Sequence, residues 1–163
     1  FGLFTDVSYQ TSQEIKNIFG HAAYILEGAK RLHNIPSYKI RVEYEDHVIE
    51  DEFAYGMITN SVSVGGFKNM TGKNVLLDDG IFEVTLIKMP KNPLEFNRII
   101  ASLSNLTEDT DLIYNFKTDC VKFFPEEVIP WTLDGEFGGE HKNVIVKNVH
   151  KALEIMVKNK ESK

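Results

Sequence analysis

A single cysteine, Cys120, occurs in the 163 residues, and no CxxC or Cys/His cluster surrounds it. No internal disulfide can form, which excludes a disulfide-stapled scaffold and a zinc ribbon, reads Cys120 as a small filler beside a strand, and fits a reducing, cytoplasmic setting. Long apolar runs are missing too. None reaches the roughly 18 residues of a membrane-spanning helix, and the first residues lack the charged and apolar regions of a signal peptide. Positive charge is scarce: 18 Lys and Arg stand against 24 Asp and Glu, a net charge of -6 with a pI near 5.4. Without a basic stripe interleaved with aromatics, nucleic acid is excluded as a leading partner. The five histidines show no HExxH or other ligand spacing, and each reads as a surface or capping residue. No G-x-S-x-G elbow announces a serine hydrolase.

What is present describes an ordinary folded domain. Hydrophobic residues make up 42% and charged residues 26%, enough apolar material for one well-filled core. We expect a single domain over residues 1–157, with the polar stretch 158–163 fraying. The opening Phe1-Gly2-Leu3-Phe4 has no initiator Met and reads as the interior of something longer.

Periodicity assigns the elements. Thr11 or Ser12 caps a helix running to about His33, with Ile15, Ile18, Phe19, Ala22, Ala23, Leu26, Ala29 and Leu32 on one face. From Tyr38 the period drops to two: Tyr38, Ile40, Val42 and Tyr44 alternate with charged residues, and Asp46-His47 turns the chain into Val48 to Asn60. Further strands are expected at 53–64, 82–89, 111–118, 120–124, 128–133, 143–147 and 152–157, nine or ten in all. Pro93 opens a second helix ending near Leu106. The fold class is therefore mainly β with two or so helices, an antiparallel β-sandwich.

Three turns carry candidate chemistry. In Leu133-Asp134-Gly135-Glu136, two acids flank a glycine. Were the backbone extended there, Asp134 and Glu136 would face one side, a layout for acid-base work; the plain alternative is a hairpin turn with two solvated acids. Gly65-Gly66 after a strand lets a backbone approach phosphate, though no Walker loop follows. Asp78-Asp79-Gly80 is at least a tight turn, and its carboxylate and exposed carbonyls suit a hard cation. The acid-rich run Glu43 to Glu52 alternates onto a wet sheet face and is not read as a metal site.

Taken in order, Gly2-Leu3-Phe4-Thr5-Asp6, Phe19-Gly20-His21-Ala22-Ala23-Tyr24, Asn60 to Phe67 with Gly65-Gly66, Leu77-Asp78-Asp79-Gly80 and Leu133-Asp134-Gly135-Glu136 resemble the C-terminal domain of the bacterial diacylglycerol kinases and related lipid kinases. The resemblance implies the β-sandwich second domain of a two-domain, ATP- and Mg2+-dependent kinase that phosphorylates the hydroxyl of diacylglycerol or another lipid alcohol. The nucleotide-binding first domain is absent from this sequence, so the piece alone is expected to be inactive. Carried over residue by residue, Glu136 is the proton acceptor with Asp134 beside it, and Leu76, Asp79 and Ile81 form a structural Mg2+ site; the glycine pair Gly65 and Gly66 is the candidate for the cofactor phosphates from its own pattern. A free glutamate has a pKa near 4.3 and is ionised at neutral pH, as a base must be. Transient contact with a membrane surface and a homodimer are further expectations. The alternatives are a related kinase acting on sphingosine or NAD, and a non-catalytic sandwich that binds lipid or a partner protein.

Overall fold

The computed structural model describes residues 1–2, 35–63, 74–105, 110–153 and 156. The helix read between Thr11 and His33, the glycine pair Gly65-Gly66 and the polar tail 158–163 lie outside them. The described elements are the strands β1 (Tyr38–Tyr44), β2 (His47–Thr59) and β3 (Phe82–Lys88), the helix α1 (Pro93–Asn105), and β4 (Ile113–Thr118), β5 (Cys120–Pro125), β6 (Ile129–Leu133), β7 (Glu136–His141) and β8 (Val144–Lys147). Six strands form one antiparallel sheet in the order β4-β3-β2-β1-β5-β8, and β6 pairs with β7 in a second.

Alternation decides which side chains meet. In β1, Ile40 and Val42 are buried while Lys39 and Arg41 are exposed. Val84 and Leu86 of β3 join them in a core with Phe53, Val121, Phe123, Ile129 and Trp131, so the β6–β7 hairpin caps one face of the large sheet. Ile87 points the other way, to Ile99 of α1 and Leu112. With both faces covered, β3 is buried from Glu83 through Ile87 and shows no apolar/polar alternation of its own.

β2 changes face midway. Phe53 pairs with Lys88 but Tyr55 pairs with Ile87, an irregularity that inserts one extra residue at Ala54. Phe53 therefore enters the core shared with β6, Tyr55 packs on the α1 side, and Gly56 returns to the first core. There Phe1 pairs with it, its backbone nitrogen donating to the Gly56 carbonyl at 3.0 Å and its carbonyl accepting from the Gly56 N–H at 3.1 Å. A Cβ on Gly56 would stand 2.2 Å from the Phe1 ring, so the missing side chain is the space the ring fills. The ring makes edge contacts with Trp131 at 5.1 Å and Phe123 at 5.8 Å between centroids.

α1 has a polar lock at its start. Asn92 Oδ1 accepts the Glu95 N–H at 2.9 Å and Glu95 Oε2 accepts the Lys91 N–H at 2.7 Å, a reciprocal cap ahead of Pro93 at the first helical position.

Three readings of the strands change. β7 went unread, because Gly138-Gly139 interrupts any apolar run. The 152–157 strand is absent among the described residues: Leu153 is 86% and Met156 fully exposed, with no neighbouring strand to pair them. The run from Phe53 belongs to β2 and ends at Thr59.

Candidate active site and carbonyl-lined bend

The hairpin β6–β7 carries Asp134 and Glu136. Leu133 pairs with Glu136 across it, leaving Asp134 and Gly135 as a two-residue turn with φ of 50° and 88°. Positive φ at both positions is the type I′ geometry that matches strand twist, and Gly135 tolerates it at no steric cost. The extended-backbone expectation thus fails locally: the acids do not share a side by strand alternation, because Asp134 sits in the turn itself. Glu136 instead takes its direction from pairing. It lies on the face shared by Leu133 and, two residues earlier, buried Trp131, while Phe137 pairs with Thr132 on the opposite face. Both carboxylates are exposed, and neither has a hydrogen-bond or ion-pair partner among the described residues.

The hairpin is held from below. Trp131 and Ile129 are 5% and 0% exposed. Between Pro130 and Thr132 the register shifts by one residue, taken up at Gly138-Gly139, where a Cβ on Gly138 would meet Leu133 Cγ at 2.7 Å. The Trp131 Nε1–H is buried without an acceptor among the described residues, an unpaired polar group accepted for the sake of the ring's packing.

The second candidate is the bend ahead of β3. Asp79 Oδ1 accepts the Ile81 N–H at 2.9 Å, closing the turn on itself, and Gly80 has φ of 77°. Three carbonyls of the bend are taken by distant side chains. Lys117 Nζ donates to Asn74 O at 2.7 Å, Asn60 Nδ2 to Leu77 O at 3.1 Å, and His150 Nε2 to Asp78 O at 2.8 Å. With a carbonyl as its partner, His150 Nε2 carries the proton. The carbonyls of Leu76 and Ile81 are not among those taken. Beside the bend, Glu83 is 3% exposed; Lys117 Nζ stands 3.2 Å from its Oε1 as an ion pair without hydrogen-bond alignment.

One carboxylate with two carbonyls is an all-oxygen set, the chemistry that Mg2+ prefers. Among the described residues no three His, Cys, Asp or Glu side chains gather as a metal cluster, so any cation here rests on backbone oxygen around Asp79. Within the acid-rich run of β1 and β2, Glu43 pairs with Arg41 at 2.7 Å and Asp51 with Lys88 at 2.8 Å. For Asp51, desolvation raises the pKa, but the Lys88 hydrogen bond and charge prevail and hold it below the usual carboxylate range. Asp79 and the acid hairpin sit on separate elements, with no hydrogen bond or ion pair joining them among the described residues. Sequence reasoning missed Asn60, Lys117 and His150, since nothing in a one-dimensional spacing links Lys117 to a carbonyl 43 residues earlier.

The molecule is thus an antiparallel β domain with an acid-tipped hairpin at one turn and a carbonyl-lined bend at another. No protein-family model matches the chain. It is 30% identical over 140 residues to the diacylglycerol kinase of Bacillus subtilis, and 30% identical over 141 residues to that of Staphylococcus carnosus. Each match covers 85% of this chain and 45% of the relative, so the chain spans about half the length of these curated relatives. Two crystal structures from Bacillus anthracis that carry the diacylglycerol kinase name share the fold: one has a TM-score of 0.57 at 20% identity, covering 84% of this chain and 46% of that one, and the other 0.51 at 21%, covering 74% and 43%. Over 85% of its length the chain is thus similar to proteins named diacylglycerol kinase and corresponds to their C-terminal part. Among the described residues no helix is long and apolar enough to cross a membrane.

Proposed function

We propose that this chain is the acceptor-side half of a lipid kinase, in which Glu136 takes the proton of a lipid hydroxyl as that oxygen attacks the γ-phosphorus of ATP. One P–O bond forms to the acceptor oxygen, the bond to the β,γ-bridging oxygen breaks, and ADP leaves with its electron pair. Diacylglycerol is the acceptor that the relatives' names favour, met at a membrane surface.

The observation that carries the reading is Glu136 itself. It is an exposed carboxylate with no described internal partner, on a hairpin fixed from below by buried Trp131, in a chain whose relatives are named for phosphorylating a lipid alcohol. Asp134, one turn position away, supports the base or contacts an active-site cation. Gly65 and Gly66 are assigned to the cofactor phosphates. At the bend, Asp79 with the Leu76 and Ile81 carbonyls would hold Mg2+, whose contribution there is to stiffen the chain ahead of β3.

Transfer of labelled phosphate from ATP to diacylglycerol by the whole protein tests this, with Glu136→Gln run beside it. Turnover should fall by about two to four orders of magnitude in the variant. Near-normal turnover in the variant removes Glu136 as base, and an inert parent that still melts higher with ATP and Mg2+ directs the search to another acceptor, sphingosine and NAD first.

A further inference from the structure

The bend at 74–81 is fastened more heavily than a surface turn needs. A tight turn is complete once Asp79 accepts the Ile81 N–H, yet side chains from three other places also grip it: Asn60 just after β2, Lys117 on β4 and His150 beyond β8. Each takes one carbonyl, at Leu77, Asn74 and Asp78. Lys117 is in turn drawn toward the buried Glu83, its directly paired neighbour across β3 and β4. A buried carboxylate without its cation is expensive, so Glu83 holds the Lys117 ammonium in place and gives the Asn74 carbonyl a fixed donor. The His150 ring lies over Gly80, where an added Cβ would stand 3.0 Å from the His150 Cβ.

Turn carbonyls with no donor rotate toward water. Here three of them are pinned to protein donors, and the second Asp79 oxygen and the Leu76 and Ile81 carbonyls are not used by those donors. We infer that Asn60, Lys117 and His150 are positioning residues for a cation at this bend: they hold the backbone so that Asp79, Leu76 and Ile81 present oxygen together before the ion arrives. This rests on the Mg2+ reading given above. Preorganisation matters for Mg2+ in particular, because it demands near-ideal octahedral geometry and gives up its water reluctantly. Outer partners of a metal site commonly govern affinity by tenfold or more.

The test follows the melting temperature of the full chain against MgCl2 concentration. The wild type should melt higher as Mg2+ rises, and Lys117→Met should need about tenfold or more Mg2+ to reach the same rise over its own metal-free melting temperature. Because Lys117→Met strands Glu83, the pair Lys117→Met with Glu83→Gln is measured as well; it removes the orphan charge and should show the same weakened response. His150→Ala should behave likewise, and His150→Gln, which keeps a side-chain donor, should restore most of the affinity. The same rise at the same Mg2+ concentration in the wild type and in every variant overturns the positioning role and leaves the cation reading standing. No Mg2+ response in the wild type overturns both. A merely structural role would lower melting without Mg2+ yet leave the rise at each Mg2+ concentration unchanged, which also defeats the inference.

Discussion

The two turns that bear the candidate chemistry are built in opposite ways. The Asp134-Gly135 turn is set locally: strand pairing at Leu133 and Glu136, a two-residue loop with positive φ, and no hydrogen bond from its carboxylates to the described protein. The bend at 74–81 is set remotely, by donors from three separate parts of the chain, and its own carboxylate is turned inward onto the Ile81 N–H. Under the proposed function, a group that meets substrate is left unpartnered on a packed support, whereas a turn that keeps a shape is tied from outside. Substitution at the first should cost activity and spare stability; at the second it should cost stability first.

Glu136→Gln draws the contrast most strongly. Besides the loss of turnover, its melting temperature should stay within error of the parent, since an exposed side chain without partners contributes little to folding. Asp79→Ala should do the reverse at the level of this domain, losing about 1 kcal/mol with the Ile81 hydrogen bond and cancelling any rise in melting caused by Mg2+. A melting loss in Glu136→Gln equal to that of Asp79→Ala would erase the distinction.

The support beneath the hairpin carries the next largest effect. Truncating buried Trp131 to Ala removes contacts with Phe1 and Phe123 and should cost about 3–5 kcal/mol in denaturant unfolding. Trp131→Phe keeps an aromatic ring in the site and removes the unpaired Nε1–H, so its cost should be less than half as large. If both variants lose the same amount, the ring's packing is not what fixes the hairpin.

The difference between the two turns also explains what the sequence could reveal. Alternation exposed β1 and β2, Pro93 marked the start of α1, and Asp134-Gly135 was readable as a hairpin turn because its geometry is carried by two adjacent residues. β7 was hidden because Gly138-Gly139 serves the register shift and the Leu133 side chain, a demand made by the facing strand. The face change in β2 was equally silent: nothing local says that Ala54 is the extra residue, and its consequence shows only where Phe1 lies on Gly56. The clamps on the bend were beyond reach for the same reason, since Asn60, Lys117 and His150 converge only after the sheet has formed. Local chemistry is legible; long-range carbonyl donors are not.

The smallest effect isolates that long-range part. Gly80 and Gly135 have similar backbone conformations, φ of 77° and 88°, so replacing either by Ala carries a similar left-handed penalty, about 1–2 kcal/mol. Their surroundings differ. A Cβ on Gly135 meets nothing within 4 Å, whereas one on Gly80 stands 3.0 Å from the His150 Cβ and 3.2 and 3.5 Å from two ring atoms. Gly135→Ala should therefore show the backbone cost alone, and Gly80→Ala should exceed it by several tenths of a kcal/mol as His150 is pushed off the Asp78 carbonyl. Combining Gly80→Ala with His150→Ala separates the contributions: the excess should shrink to the contact with the Cβ that alanine keeps, because the displaced ring is already gone, while Gly135→Ala with His150→Ala should remain additive. Additivity in both pairs would mean that His150 does not hold the bend.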